Sequence, residues 1–164
     1  CFEAGLIPGA AAAYGLEEVE FRVSPHAGQS VKPLAKTASG GELSRIGLAL
    51  QTVLSGTSGA PTLLFDEVDS GIGGGVAEIV GRMLAELGGN HESPRQVLCV
   101  THLPQVAARA ARHYQVSKEN RAGRAVSSVA VLNHAERVEE IARMLGGVKL
   151  TDATRAHAEE MLAT

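Results

Sequence analysis

The spacing of hydrophobic positions changes period several times along the chain, and each change marks a predicted element. Residues 18–23 alternate polar and apolar with period two and predict a half-buried strand. From Ser39 to about residue 55 the period becomes helical, with Leu43, Ile46, Gly47, Leu50, Val53 and Leu54 on one face. The short apolar runs at 62–66 and 96–100 have strand length and predict buried neighbours in a parallel sheet. Between them, Val76, Ile79, Val80, Met83, Leu84 and Leu87 form the apolar stripe of a helix over 76–87. Gly88, Gly89 and Asn90 end that helix, and a right-handed crossover through it is the natural link between the two strands. A short helix over 103–111 starts near Pro104. Segments 113–118 and 125–132 return to period two and predict a β-hairpin at the sheet edge. Helices follow over 134–145, stopped by Gly146 and Gly147, and over 151–162. Residues 1–16 carry little pattern, with Ala10 to Ala13 read as a helical end, while 24–37 and the glycine-rich 70–75 read as connections. Strands alternating with helices predict the α/β class, with parallel strands flanked by helices and a C-terminal hairpin.

Composition narrows the picture. A chain of 164 residues makes one domain or a large piece of one, and a first residue of Cys rather than Met reads as a piece. With 45% hydrophobic and only 3% aromatic residues, the core must be built from Leu, Val, Ile and Ala. No run approaches the ~18 apolar residues of a membrane span and no secretory leader is visible, so the expectation is a soluble, cytoplasmic chain without a membrane partner. Cys99 lies in an apolar run and reads as a small core residue. A net charge of −3 argues against a stand-alone nucleic-acid binder. One local cluster, Arg109, Arg112, Lys118, Arg121 and Arg124 opposed only by Glu119, is a candidate for DNA-backbone contact or an ordinary solvated hairpin.

The candidate chemistry sits where the first buried run ends. Thr62-Leu63-Leu64-Phe65 runs directly into Asp66, Glu67 and Asp69. Carboxylates at the C-terminal end of a buried strand lie where open α/β sheets place ligands. There they can hold a divalent metal or poise a base, and they are equally compatible with a solvated acidic turn. Upstream, Ser39 followed by Glu42 fits a capping box, and Gly40 and Gly41 let a ligand approach the backbone at a helix start whose free amides attract phosphate. The same residues also make a well-capped helix with no ligand. The second buried run ends in Thr101-His102. No Gly-Lys-Ser or Gly-Lys-Thr occurs anywhere, so a Walker A loop is absent, as are sustained heptads.

Taken in order, Ser-Gly-Gly-Glu-Leu-Ser-Arg at 39–45, Phe-Asp-Glu-Val-Asp-Ser-Gly-Ile-Gly-Gly at 65–74 and Thr-His-Leu-Pro-Gln-Val-Ala at 101–107 resemble the C-terminal lobe of an ABC-type ATPase head. Within that class they are similar to the RecN family of DNA-repair ATPases, relatives of the SMC proteins, from about Gly15 to the C-terminus. The resemblance implies ATP and Mg2+ as cofactors, sandwiched between two heads of a homodimer. It implies Asp66 as the metal-supporting Walker B acid, Glu67 as general base, and His102 as a contact to the γ-phosphate or the attacking water. Ser39, Gly40, Gly41 and Glu42 would form the signature loop facing the nucleotide of the partner head, and Asp69 would lie in the loop linking the two sites. It further implies an N-terminal Walker A lobe and a coiled coil outside this chain, and action on DNA ends or single-stranded overhangs in a bacterial, nucleoid-associated setting. An ABC transporter domain fits less well, because transporters usually carry Ser-Gly-Gly-Gln and Asp-Glu-Pro where this chain has Gly41-Glu42-Leu43 and Asp66-Glu67-Val68. A non-catalytic module of the same fold would not be expected to retain Glu67 and His102.

Overall fold

The computed structural model describes residues 1–24, 28, 30–37, 39–54, 60–89, 95–121, 124–147 and 150–163, without the side chains of Thr37 and Arg121. Asn90 as a helix stop, His91, and the turn at 122–123 therefore lie outside the described residues. The chain opens with an antiparallel hairpin of β1 (Phe2–Ala12) and β2 (Gly15–Val23), to which the short β3 (Lys32–Pro33) adds an edge. Ala10 to Ala12 thus belong to a strand rather than a helical end, because Ala12 pairs with Gly15 across the turn. Alanine carries little β preference of its own, and cross-strand pairing decides the matter. Helix α1 (Leu34–Thr37) follows within the stretch read as a loop.

The centre is built from α2 (Gly40–Val53), β4 (Thr62–Phe65), α3 (Gly74–Gly88) and β5 (Gln96–Cys99). Strands β4 and β5 pair in parallel, Thr62 with Gln96 through Phe65 with Cys99, and α3 connects them as the pattern predicts. A hydrogen bond from Val100 N to Phe65 O (3.0 Å) carries the ladder one step past the strand ends. One face of this pair is packed: Phe65, Val68, Leu48, Ala77, Val80, Leu84 and Leu87 are buried together, with Leu63, Val97 and Cys99 against them. Cys99 is therefore a core residue, as expected.

Two helical stripes are rotated from their predicted faces. On α2 the buried positions are Gly41 and Leu48, whereas Leu43, Leu50, Val53 and Leu54 are exposed. On α3 the buried stripe is Ala77, Val80, Gly81, Leu84 and Leu87, leaving Val76 and Ile79 in solvent. Close approach explains the second shift, because a Cβ on Gly81 would lie 2.9 Å from the Gln105 carbonyl of the neighbouring helix.

The rest of the chain packs as a second group. Helix α4 (Pro104–Ala107) leads to the hairpin β6 (Tyr114–Arg121) and β7 (Arg124–Val131), then α5 (His134–Gly146) and α6 (Asp152–Leu162). The hairpin is a separate two-stranded sheet rather than an edge of β4–β5. Ala107, Ala108, Val138, Ile141, Ala142 and Ala158 form the second buried cluster. Arg137 reaches the carbonyls of Ala108 (3.4 Å) and Ala110 (2.7 Å), tying α5 to the end of α4. Glu140 accepts two bonds from Arg143 (2.8 and 2.7 Å) and one from Gln115 of β6 (2.6 Å). Those bonds, Arg143 foremost, hold its carboxyl below the ordinary value of 4.5 against the opposing effect of burial. No helix among the described residues is long and apolar enough to cross a membrane.

Leu48 and Ile141 are fully buried anchors of separate clusters. Leu48→Ala and Ile141→Ala should each cost about 2–5 kcal/mol in urea unfolding, and the double variant should be additive within about 0.5 kcal/mol. Glu140, whose folded pKa is depressed, contributes stability that is complete above pH 4.5 and lost as pH falls through its lower folded value. The stability gap between wild type and Glu140→Gln should therefore close on acidification below about pH 4.5, read from denaturant midpoints.

Candidate functional site

Strand β4 delivers Asp66 and Glu67 at its C-terminal end, where the chain turns back sharply. Ser70 N donates to Glu67 O (3.0 Å), and Ile72 N to Asp69 O (3.4 Å). Glu67 takes φ of +57°, the only non-glycine in the left-handed region among the described residues. A glutamate gains nothing locally from that conformation, and such residues cluster where surrounding structure and function demand them. Within the turn, Val68 is wholly buried in the central core while Asp66 and Glu67 remain exposed. The apolar residue anchors the turn and the two acids are held outward.

Asp69 goes the other way. Its carboxylate is only 4% exposed, and its Oδ2 accepts from Thr101 Oγ1 (2.5 Å) and from His102 N (3.0 Å). The same oxygen lies 3.2 Å from His102 Nδ1. The His102 side chain itself is 72% exposed. A buried carboxylate needs such donors to offset its lost hydration. Beneath it, burial pushes the Cys99 thiol up to about 12, with Asp69 and Asp66 adding to the effect, so this cysteine is a packed thiol rather than a nucleophile. Asp66, Glu67, Asp69, Thr101 and His102 line one open cleft of about 470 Å3.

The start of α2 meets the same turn from its other flank. Ser39 and Glu42 form the expected capping box: Ser39 Oγ accepts from Glu42 N (3.4 Å), and Glu42 Oε2 accepts from Ser39 N (3.0 Å). Glu42 is thus engaged by its own helix. A Cβ on Gly40 would lie 2.5 Å from Glu67 Oε2, and one on Gly41 would lie 2.8 Å from Ser70 Cβ and 3.0 Å from Glu67 O. Contact with the turn backbone requires a glycine at Gly41, whereas Gly40 faces the end of the Glu67 side chain. Ser39, Gly40 and Gly41 nevertheless do not line the cleft that holds the acids and His102. The residues that sequence reasoning missed are Thr101, whose hydroxyl donates to Asp69, and Ser44 and Arg45, which bond to turn carbonyls. Hydroxyl and guanidinium bonds to distant backbone leave no periodic trace in a sequence.

Members of the basic cluster are engaged differently. Arg109 pairs with Glu78 of α3 at 3.1 Å, a contact that ties α4 to α3. Lys118 pairs with Ser127 and Arg124 with Arg121 in the hairpin register, which puts Lys118 and Arg124 on opposite faces. The side chain of Arg121 lies outside the described residues.

The donor set suits magnesium only in part. Asp66 Oδ1 accepts from Glu67 N (2.9 Å), leaving Oδ2 for a metal. No group of three His, Cys, Asp or Glu side chains that could hold a metal ion is found among the described residues. A hard cation would rest on one carboxylate and on oxygens brought by a ligand, which is how magnesium is usually held beside phosphates.

No family model matches the chain. Curated relatives do: it is 51% identical over 148 residues to the DNA repair protein RecN of Xylella fastidiosa, covering 90% of this chain and 26% of that protein. It is 50% identical over 161 residues to RecN of Streptomyces coelicolor, covering 96% and 27%, and 51% identical over 152 residues to RecN of Deinococcus radiodurans, covering 93% and 26%. The match falls in the C-terminal region of those proteins, and the chain spans about a quarter of their length. Among solved structures, an Smc head domain with a coiled coil and joint from Pyrococcus yayanosii shares the fold at TM-score 0.60 and 24% identity, over 85% of this chain and 25% of that one. A structure described under ATP-driven dimerization and DNA-stimulated activation of SMC ATPases aligns at TM-score 0.52 and 23% identity, over 90% of this chain and 84% of that one. The fold is that of an SMC-type ATPase head lobe.

The two glycines should respond differently to substitution. Gly41→Ala forces its methyl against backbone and should lower stability by about 1–3 kcal/mol in thermal unfolding, although alanine is the better helix former. Gly40→Ala meets only the end of a flexible side chain and should change stability by less than about 0.5 kcal/mol, while displacing the Glu67 carboxylate.

Proposed function

We propose that this RecN-like segment is the C-terminal lobe of an ATPase head in a protein of DNA double-strand break repair and recombination, working with ATP held between two heads. The observation that carries the reading is the arrangement at the β4 terminus. Asp66, Glu67 and His102 share one cleft, while the Ser39-Gly40-Gly41 helix start flanks the same turn without lining that cleft. A nucleotide bound beside the acids would therefore leave the amides at the start of α2 free for a second nucleotide on a partner head. That is the division of labour a two-headed ATPase requires.

Each residue has a role its surroundings support. Asp66 has a free carboxylate oxygen and would hold the magnesium ion, which when bound neutralises phosphate charge. Glu67 is exposed at the cleft and would orient water and accept its proton. His102, held by Asp69, would present Nε2 to the same region. The amides at the start of α2, after the Ser39 cap, would donate to phosphate oxygens in trans.

An incomplete sheet supports the need for another lobe. The face of β4–β5 opposite the core carries Leu64 at 68% exposure together with exposed Leu98 and Val100, although parallel strands are normally covered on both faces. We assign the cover to the N-terminal Walker A lobe of the same protein, which also supplies the phosphate loop that this chain lacks. DNA, as ends or single-stranded overhangs, is the proposed substrate of the complete homodimer, in the bacterial cytoplasm. This rests on the matched relatives being named DNA repair proteins and not on the basic cluster.

The test uses the full-length protein. Glu67→Gln should keep ATP binding and accumulate ATP-held dimers while hydrolysis falls about 10²–10⁴-fold in a steady-state phosphate-release assay. Wild-type turnover would remove Glu67 from the mechanism. Ser39→Arg should retain ATP binding per head and lose both head association and hydrolysis. If Ser39 only caps α2, the same substitution would cost about 1 kcal/mol and leave both intact.

A further inference from the structure

Helix α2 faces the acid turn with a stripe that is polar over half its length: Gly41, Ser44, Arg45 and Leu48. Leu48 enters the core, and Gly41 touches Glu67 O and Ser70. Between them, Ser44 Oγ donates to Asp66 O at 2.8 Å. Arg45 donates through one terminal nitrogen to Ser70 O at 2.8 Å and to Val68 O at 3.4 Å. The turn between residues 66 and 70 thus has three of its carbonyls bonded by two consecutive side chains of one helix. Arg45 lies directly after the Ser-Gly-Gly-Glu-Leu-Ser run and does not itself line the cleft.

We propose that Arg45 is a positioning residue for hydrolysis: it clamps the acid turn to α2, so that Glu67 keeps its left-handed backbone and its carboxylate stays at the cleft. The physical case is specific. Glu67 has no local reason to stay at φ of +57°. The backbone one to three positions later is held instead, by the Val68 side chain in the core, by Asp69 at the β5 terminus and by Arg45 on the α2 side. A guanidinium suits this task because its planar donors can serve two carbonyls at once. The clamp also makes the start of α2 and the acid turn one body. A phosphate seated on the helix start would then move the base of this chain's own cleft along with it.

This inference rests on the ATPase reading above and deepens it, so the test must separate the two. In the full-length protein, Arg45→Met keeps the aliphatic stem and removes both donations. Expected is a fall of about ten- to hundredfold in kcat, the scale of a small misplacement of a catalytic group. KM for ATP and ATP-dependent head association should stay within about threefold of wild type, because neither depends on Glu67. Arg45→Lys, able to donate to Ser70 O alone, should recover kcat to within about tenfold of wild type at the same melting temperature as Arg45→Met. Wild-type kcat in Arg45→Met overturns the proposal. So does a loss of kcat in both variants that merely follows their melting temperatures, which marks a structural role. If Arg45→Met fails to fold, Arg45→Lys decides alone: a kcat reduced at unchanged KM and melting temperature supports the clamp, and any other result overturns it. Glu67→Gln in parallel keeps the readings apart. Full hydrolysis by that variant would sink the ATPase assignment of Glu67, whereas loss there with normal Arg45→Met turnover would sink the clamp alone.

Discussion

The contact on which the rest of the site depends is the seating of a helix start against a reverse turn with almost no side-chain atoms between them. Gly41 brings α2 so close to residues 67–70 that a methyl group there would collide with the turn backbone, and one at Gly40 would displace the Glu67 carboxylate. Hydrophobic packing alone does not achieve this approach, since only Leu48 of α2 is a fully buried apolar side chain. Hydrogen bonds complete it, with Ser44 and Arg45 satisfying turn carbonyls that would otherwise be left without donors. A polar helix face is stable here because its partners are backbone oxygens held in place by the core residue Val68.

The second flank of the turn uses a different device. Asp69 is buried, and Thr101 and the His102 backbone donate to the same oxygen. That arrangement joins the ends of β4 and β5 and orients the His102 ring outward. At its C-terminal end the parallel ladder is extended by one backbone bond, from Val100 N to Phe65 O. Side chains take over the joining task at the point where the carboxylates must face solvent. The site is thus a rigid turn held from both sides, with two exposed acids and an imidazole at its rim.

Apolar surface remains uncovered on several elements of this unit. Leu64, Leu98 and Val100 on the open sheet face, Val53 and Leu54 on α2, and Leu6, Leu16 and Val19 on the first hairpin are all exposed. The core that remains is two modest clusters, one beneath the site and one between α4, α5 and α6. The charged network of Glu140, Arg143 and Gln115 joins the β6–β7 hairpin to the second cluster.

The amino-acid sequence by itself determined the order and type of the central elements. It set the parallel pairing of the runs at 62–66 and 96–100, the capping box at Ser39 and Glu42, and the positions of Asp66, Glu67 and His102 at strand ends. These follow from local physics: side-chain period, strand length and the donor chemistry of a helix N-terminus are written in consecutive residues. Tertiary structure decided the rest. Ala10 to Ala12 became a strand through pairing with β2, and the second hairpin stood apart from the central sheet. The faces of α2 and α3 were rotated because Gly41 and Gly81 permit contacts closer than any larger residue allows. Asp69 turned inward and Arg45 reached across the turn, placements that no local pattern in the sequence indicates. Periodicity records which side of an element is apolar, but a charge satisfied by a distant backbone or hydroxyl group depends on atoms about 25–33 positions away, and only folding brings those atoms together.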